Sequence, residues 1–184
     1  MRLDTAASIV VLVDVQERLF PHMHEAEELG RRLSILLQGA AILGVPVLVT
    51  QQYTKGLGST IEPLLRILAA QGVEPAPIEK IAFGCCDEPA FVSRVEEAGR
   101  KLVVLAGIEA HVCVLQTVTG LLELGYEPMV VADCVSSRRA GDRDIALRRM
   151  EAEGAMLTSS ESALFELTRV AGTDTFRAIS KLVK

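Results

Sequence analysis

Residues 101–117, KLVVLAGIEAHVCVLQT, form the stretch of sequence that decides the fold. The segment opens with the apolar run 102–106, whose length and β-branched residues are typical of a fully buried parallel strand. Gly107 interrupts that run, and from Val112 onward the apolar residues recur with a helical period. The order of strand, short turn and helix places Cys113 in the first helical turn, where unpaired backbone N–H groups and the helix dipole favour a thiolate.

Two interpretations of Cys113 are open on its position alone. A thiolate at a helix N-terminus is a nucleophile for covalent catalysis, and in that case we expect Cys113 to be the most reactive of the four thiols. A free cysteine is also a common small core residue that is buried and inert. The choice depends on residues elsewhere in the chain that would act on the same sulfur.

Apolar strands alternate with helices along the whole chain. Strands are predicted at 9–13, 47–50, 78–83, 102–106, 129–132 and 155–158, and helices at 25–43, from 59 or 60 to Gly72, and at 89–98, 112–124, 142–153, 161–170 and 173–182. This alternation implies a parallel sheet that is covered by helices on both faces. We therefore predict one α/β domain over residues 1–184, a three-layer α/β/α, doubly wound, Rossmann-like fold with a six-stranded parallel sheet.

Composition limits the classes of function. The chain is 49% apolar but has no uninterrupted apolar run of about 18 residues, so no membrane partner is expected. The net charge of −5 and the lack of a basic cluster with interleaved aromatic residues argue against nucleic acid. The four cysteines show no CxxC spacing, which fits a reducing, cytoplasmic setting. The high apolar fraction of one small domain predicts a homo-oligomer, a dimer or larger.

Polar residues follow several of the predicted strands. Ligands of doubly wound sheets bind at the carboxyl ends of the strands, where the winding reverses. Asp14 follows strand 1, residues 51–53 follow strand 2, Lys80 lies near strand 3 and residues 109–113 follow strand 4. The sequence does not fix the strand order. If strands 1 and 4 are neighbours at the reversal, Asp14 and Cys113 face the same crevice.

Asp14 and Lys80 are candidate partners of the thiol. No helix begins until about residue 25, so a helix-capping role for Asp14 is weak, and its carboxylate would instead take the Cys113 proton and return it to a leaving amine. Lys80 would keep Asp14 ionised and stabilise developing negative charge. A solvated surface lysine is the alternative interpretation of Lys80.

Four further residues are candidates for the wall of a substrate pocket. They are Gln16, Phe20, Gln52 and Tyr53. Phe20 would act as an apolar lid. A core position for Phe20 and a surface position for Gln16 fit the sequence equally well.

Taken together, these motifs resemble those of the isochorismatase-like cysteine hydrolases. The similarity runs from residue 9 to the C-terminus and includes a subfamily likeness to the isochorismatase-domain-containing proteins. The matching segments are Asp14-Val15-Gln16-x-x-Leu19-Phe20, Glu79-Lys80 with the following Phe83, GIEAHVCV at 107–114, QQYTKGLGST at 51–60, ADCVSSR at 132–138 and DRDIALRRM at 142–150.

The resemblance implies a fold and a mechanism. It implies a six-stranded parallel sheet, an Asp14–Lys80–Cys113 triad and hydrolysis of amide-type C–N bonds in a small molecule through a thioester. The backbone N–H groups of Glu109 and Cys113 would form the oxyanion hole, with a cis peptide bond between Ile108 and Glu109. True isochorismatases lack the cysteine and cleave a vinyl ether, so Cys113 argues against that reaction.

The chain departs from the nicotinamidases of the same superfamily. Those enzymes carry an Asp and two His just beyond strand 2 as a metal site, whereas residues 51–55 here read QQYTK. Nicotinamidase activity is therefore disfavoured, and neither a metal nor another cofactor is expected. A non-catalytic binding or assembly protein that retains the fold is the competing hypothesis. The roles of the Glu109 and His111 side chains stay open.

Overall fold

The computed structural model describes residues 2–70 and 76–184. The strands are β1 Ser8–Val13, β2 Val47–Gln52, β3 Ile78–Lys80, β4 Leu102–Ile108, β5 Glu127–Ser136 and β6 Met156–Thr158. The α-helices are α1 Ala26–Ile42, α2 Thr54–Leu57, α3 Glu62–Ala70, α4 Pro89–Ala98, α5 Leu115–Glu123, α6 Ala140–Glu153, α7 Ser160–Thr168 and α8 Asp174–Leu182. Gly72, the predicted end of α3, lies outside the described residues.

The six strands form one parallel sheet in the order β3-β2-β1-β4-β5-β6. This order confirms the predicted doubly wound fold. The winding reverses between β1 and β4, which are neighbours, with Val13 opposite Gly107 in the last pair of the register. The carboxyl ends of these two strands therefore open onto the same crevice.

Alternate side chains of the strands enter two separate cores. On β1, Val10 and Leu12 pack with residues of α1, α3 and α7 on one face of the sheet. Ile9 and Val11 point to the other face and pack with residues of α4, α5 and α6. A third, smaller cluster around Ile179 joins α8 to α1 and α7. The period of two along buried strands thus produces the three layers that the sequence predicts.

Strand lengths differ from the prediction at both sides of the sheet. β3 ends at Lys80 instead of residue 83. β5 extends to Ser136 because, after an irregularity between Leu105 and Gly107, β4 pairs again with Val135 and Ser136. The extension carries the segment after Ala132 up to the edge of the crevice.

Two predictions about helix starts are corrected. A helix is predicted at 112–124, but residues 112–114 belong to a π-helical turn, Ala110–Val114. Regular α-helix covers only Leu115–Glu123. Thr60 does not cap α3, because the helix begins at Glu62 and the Thr60 hydroxyl accepts a hydrogen bond from Gln51 Nε2. Among the described residues, no helix combines the length and hydrophobicity needed to cross a membrane.

Candidate active site

The carboxyl ends of β1 and β4 approach so closely that position 107 requires glycine. Gly107 has a φ of +128°, and a Cβ atom there would lie 2.1 Å from the carbonyl oxygen of Val13. The next residue after Val13, Asp14, has a φ of +51°, a left-handed conformation that is uncommon for a non-glycine residue and is concentrated at functional sites. The chain thereby turns the Asp14 carboxylate into the crevice, where it is fully buried.

A buried ion pair joins Asp14 to Lys80. Lys80 Nζ lies 2.6 Å from Asp14 Oδ2, and both side chains are fully buried. The ammonium also donates to Gln52 Oε1 at 2.7 Å and to the carbonyl oxygens of Phe83 and Ala82 at 3.0 and 3.2 Å. The interpretation of Lys80 as a solvated surface lysine is therefore wrong.

The charge state of Lys80 follows from its neighbours. Burial disfavours the ammonium form, but the negative charge of Asp14, with smaller contributions from Cys85 and Cys113, outweighs it and raises the pKa of Lys80 above 10.5. Lys80 is therefore a fixed positive charge at neutral pH. A fixed positive charge beside a carboxylate and a thiol is suited to stabilising negative charge on either group.

Cys113 lies beside the same carboxylate. Its side chain is buried in the π-helical turn, where the charges of both Asp14 and Lys80 act on the thiol. Burial, followed by the negative charge of Asp14, raises the pKa of Cys113 to about 12, while Lys80 acts in the opposite direction. The expectation of a lowered thiol pKa is wrong, because desolvation outweighs the helix terminus and the lysine. Cys113 is therefore a thiol at neutral pH.

The other three cysteines are also free thiols with raised pKa values. Burial is the main cause, and it raises the pKa of Cys85 to about 11, that of Cys86 to about 12 and that of Cys134 well above 9.0. Acidity therefore does not single out Cys113. Its position does, because Asp14 and Lys80 act on both Cys113 and Cys85, and of these two thiols Cys113 keeps 5% exposure and Cys85 none. The expected order of thiol reactivity stays a prediction.

The turn before the thiol contains the cis peptide bond that the resemblance implies. The bond between Ile108 and Glu109 is cis. The Glu109 carboxylate accepts hydrogen bonds from both the backbone N–H and Nε of Arg138, at 3.0 and 3.1 Å. His111 shares a hydrogen bond of 2.9 Å with the Ser137 hydroxyl through Nδ1. Both side chains thus contact the segment that follows β5.

Gln16 occupies a different place from the predicted pocket wall. It is fully buried, and its carboxamide forms a reciprocal pair with the Gln52 backbone, accepting from the N–H at 2.7 Å and donating to the C=O at 3.0 Å. A third hydrogen bond of 2.7 Å runs from Gln16 Nε2 to the Gly58 carbonyl. With all its polar atoms engaged, Gln16 ties the segment after β1 to the end of β2.

The other three predicted pocket residues are divided between two locations. Phe20 packs on α1, where a Cβ at Gly30 would lie 3.2 Å from its ring, so it belongs to the helix layer and is not placed as a lid. Gln52 contacts Lys80 directly. Tyr53 is half-exposed at the end of β2, and its backbone N–H donates to the Lys80 carbonyl at 2.9 Å.

Two residues at the site were missed by sequence reasoning. Thr50, the last residue of predicted strand 2, donates a hydrogen bond from Oγ1 to Asp14 Oδ1 at 2.7 Å. Cys85 donates from Sγ to the Thr50 hydroxyl at 3.8 Å, within the range of a sulfur contact. A polar residue at the end of an otherwise apolar buried strand was the available signal for Thr50.

The donor set of the site does not match a metal centre. Within residues 2–70 and 76–184, no group of three or more His, Cys, Asp or Glu side chains is arranged to hold a metal ion. At the end of β2, where nicotinamidases are expected to bind metal, the side chain of Gln52 instead accepts a hydrogen bond from Lys80 Nζ.

Comparison with known proteins decides the family. Residues 8–162 match the family model of the Isochorismatase domain. The chain belongs to the isochorismatase family. It is 39% identical to the secreted isochorismatase effector Isc1 of Phytophthora sojae over 189 aligned residues, covering all of this chain and 87% of that protein.

Solved structures of isochorismatase-like proteins superpose closely on this isochorismatase-family chain. The MAR1 ribonuclease of Caenorhabditis elegans is 36% identical with a TM-score of 0.89, covering 100% of this chain and 92% of that one. YcaC of Pseudomonas aeruginosa, solved with hexane-2,5-diol and covalent acrylamide, is 27% identical with a TM-score of 0.90, covering 98% and 91%. The parallel sheet described above is thus the hydrolase fold of the family.

Proposed function

We propose that this chain is a cysteine-dependent hydrolase that cleaves an amide-type or ureide-type C–N bond in a small molecule. The buried ion pair between Lys80 Nζ and Asp14 Oδ2, which is 2.6 Å long and whose two charges both act on the Cys113 thiol, carries the proposal. Burying two charges costs hydration free energy, so a buried pair is weak evidence for stability and stronger evidence for chemistry when a nucleophile adjoins it. Gln52, through Lys80, and Tyr53, at the rim, are the proposed pocket residues that adjoin this triad.

The first half of the proposed reaction forms a thioester. Asp14 takes the thiol proton as Cys113 Sγ bonds to the carbonyl carbon, and the carbonyl π electrons move onto the oxygen. The backbone N–H groups of Glu109 and Cys113 are the proposed donors to that oxyanion. When the C=O re-forms, the C–N bond breaks and the Asp14 proton passes to the leaving nitrogen.

The second half hydrolyses the thioester. Water attacks the acyl carbon as Asp14 takes one of its protons, and the C–S bond breaks with the electron pair returning to sulfur. The proton on Asp14 then restores the Cys113 thiol, and the acyl group leaves as a carboxylic acid. Lys80 stays an ammonium throughout, because its pKa is raised and it offsets the negative charge that moves between sulfur and carboxylate.

A substrate screen tests this proposal. Purified protein is incubated with a library of small amides, ureides and related compounds, and released ammonia or amine is measured. We expect turnover of at least one compound by the wild-type chain and none by a Cys113→Ala variant. If no compound is turned over while several bind without reaction, the competing hypothesis of a non-catalytic binding protein replaces the hydrolase.

A ribonuclease activity, the one named for the similar Caenorhabditis elegans protein, is the less favoured alternative for this chain. A backbone-binding RNA site needs positive charge, whereas this chain has a net charge of −5 and no basic cluster with interleaved aromatic residues. The proposed partner is therefore a small molecule and neither nucleic acid nor a membrane. The four free thiols support a reducing, cytoplasmic setting.

Activity is expected to survive metal chelation. The proposed chemistry uses only Asp14, Lys80 and Cys113, and the described residues contain no cluster of metal-binding side chains. Turnover of the screened substrate is measured before and after dialysis against EDTA. Loss of turnover that zinc or iron restores would contradict a metal-independent mechanism.

We also expect a homo-oligomer. Several large apolar side chains are more than half exposed, among them Ile81 at 68%, Ile145 at 59% and Phe83 at 55%. Apolar side chains of this size at the surface are suited to an interface between copies of the chain. Multi-angle light scattering at micromolar concentration should give at least twice the mass of 19.8 kDa. A monomer under those conditions would reject the expectation.

A further inference from the structure

A buried chain of hydrogen bonds stands behind the Asp14 carboxylate. The hydroxyl of Thr50 donates to Asp14 Oδ1 at 2.7 Å, and the thiol of Cys85 contacts the same hydroxyl at 3.8 Å. Thr50 and Cys85 are both fully buried. Because a hydroxyl has a single hydrogen and Asp14 receives it, the hydrogen between sulfur and oxygen comes from Cys85. The direction of the chain is therefore Cys85 to Thr50 to Asp14.

This chain distinguishes the two oxygens of the carboxylate. Oδ1 is held by Thr50, whereas Oδ2 faces Lys80 in the ion pair and has no hydrogen-bond partner of good geometry within the described residues. Rotation of the carboxylate would break the Thr50 hydrogen bond, and this buried site offers no water-exposed group to replace that donor. The Thr50 hydrogen bond therefore fixes the orientation of the carboxylate, with Oδ2 turned toward Lys80.

The second thiol of the site is fixed to the turn that carries the first. The Cys85 N–H donates to the Thr117 hydroxyl at 3.0 Å, and that hydroxyl donates to the Cys113 carbonyl at 2.7 Å. Burial raises the pKa of Cys85 to about 11, so Cys85 is a protonated donor at neutral pH. Thr50, Cys85 and Thr117 thus connect the Asp14 carboxylate to the π-helical turn.

We propose that Thr50 is a positioning residue that orients the Asp14 carboxylate as proton acceptor for Cys113, with the Cys85 thiol as the donor that supports it. The proposal rests on the proposed hydrolase mechanism. Neither Thr50 nor Cys85 touches the reacting atoms, and both act through Asp14. The titratable groups that face Asp14 are Lys80 from β3, Cys113 from the π-helical turn and Cys85 from the turn before α4.

The pH dependence of Cys113 alkylation tests the proposal without a substrate. Iodoacetamide labelling is followed by peptide mapping in the wild type, Thr50→Val and Thr50→Ser. Valine keeps the shape of threonine but removes the donor that favours the ionised carboxylate. The acid limb, which is the low-pH range over which the labelling rate of Cys113 falls, should therefore move to higher pH by about one unit. On that limb the rate falls about tenfold, whereas Thr50→Ser stays within about twofold of wild type.

Control variants separate positioning from general damage to the fold. Cys85→Ala removes the supporting donor and should move the same limb in the same direction by a smaller amount. Cys86→Ala is the matched control, because the hydrogen bond of its thiol runs to the Thr117 carbonyl and not to Thr50 or Asp14, and it should leave the limb in place. An unmoved limb in both Thr50→Val and Cys85→Ala would overturn the positioning role.

A further variant separates this inference from the proposed function. Asp14→Asn should abolish the acid limb, which identifies the limb with the carboxylate. If the acid limb is still present in Asp14→Asn, Asp14 is not the proton acceptor of Cys113. Both the acid–base step of the proposed function and the role of Thr50 would then be contradicted. If Asp14→Asn and Thr50→Val behave as expected but no substrate is found, the positioning role stands and only the hydrolase assignment fails.

Discussion

Replacement of Cys113 by alanine is expected to lower kcat/KM for the screened substrate by at least about 10³-fold, because the variant has no nucleophile to form a thioester. Cys113 is the thiol in contact with Asp14 that retains some solvent exposure, 5%, whereas the neighbouring Cys85 is completely buried. No second sulfur is therefore placed to take over. The measurement is steady-state release of ammonia or amine by the purified variant.

Two comparisons make the Cys113→Ala result specific. Cys86→Ala removes a partly buried thiol on the neighbouring segment and should keep activity within about twofold. Unfolding of Cys113→Ala in urea should resemble that of the wild type to within about 1 kcal/mol, since only one sulfur atom is lost from a buried turn. Full activity in Cys113→Ala would exclude covalent catalysis by this residue and leave Asp14 to activate water directly.

The reactivity expected for Cys113 depends on its partner and not on its own acidity. With a pKa of about 12, the isolated thiol is almost entirely protonated at neutral pH. Thiolate therefore forms as the proton moves to Asp14 during attack. Alkylation of Cys113 would therefore report on proton transfer to Asp14 and not on the acidity of the isolated thiol.

The sequence predicted where Asp14 and Cys113 lie because strand periodicity is a strong signal. Uninterrupted apolar runs locate the carboxyl ends of parallel strands, and Asp14 and Cys113 follow two such runs. Lys80 was harder to interpret, since a lysine between prolines and an apolar turn resembles a surface residue. Its burial depends on acceptors from Gln52 and from the carbonyls after β3, none of which a sequence pattern reveals.

The residues whose positions the sequence did not predict have hydrogen-bond partners that are far away along the chain. Gln16 reads as a surface or pocket residue, yet it pairs with the backbone of Gln52, which is 36 positions away. Thr50 reads as the end of a strand, and its partner Asp14 is also 36 positions away. Cys85 stands next to Cys86 in the sequence, and nothing in that pattern indicates its contact with Thr50. Local patterns carry no information about such partners, which the strand order alone brings together.

The Lys80→Met variant should lose about 3–5 kcal/mol of unfolding free energy together with all activity. Methionine approximates the length of lysine, but it leaves the fully buried Asp14 carboxylate without its counter-charge. The measurement is urea denaturation at neutral pH. Since its neighbours raise the pKa of Lys80 above 10.5, the ammonium contribution is fully present below pH 10.5 and is lost as pH rises through the raised value.

The double variant Asp14→Asn, Lys80→Met distinguishes a buried charge from lost packing. Asparagine tolerates the left-handed backbone at position 14 and carries no charge, so the double variant should recover at least about 2 kcal/mol relative to Lys80→Met while staying inactive. Lys101→Met, at an exposed lysine, is the matched control and should change stability by less than about 0.5 kcal/mol. If the double variant is less stable than Lys80→Met, lost packing around the lysine side chain, and not the unpaired Asp14 charge, explains the lower stability of Lys80→Met.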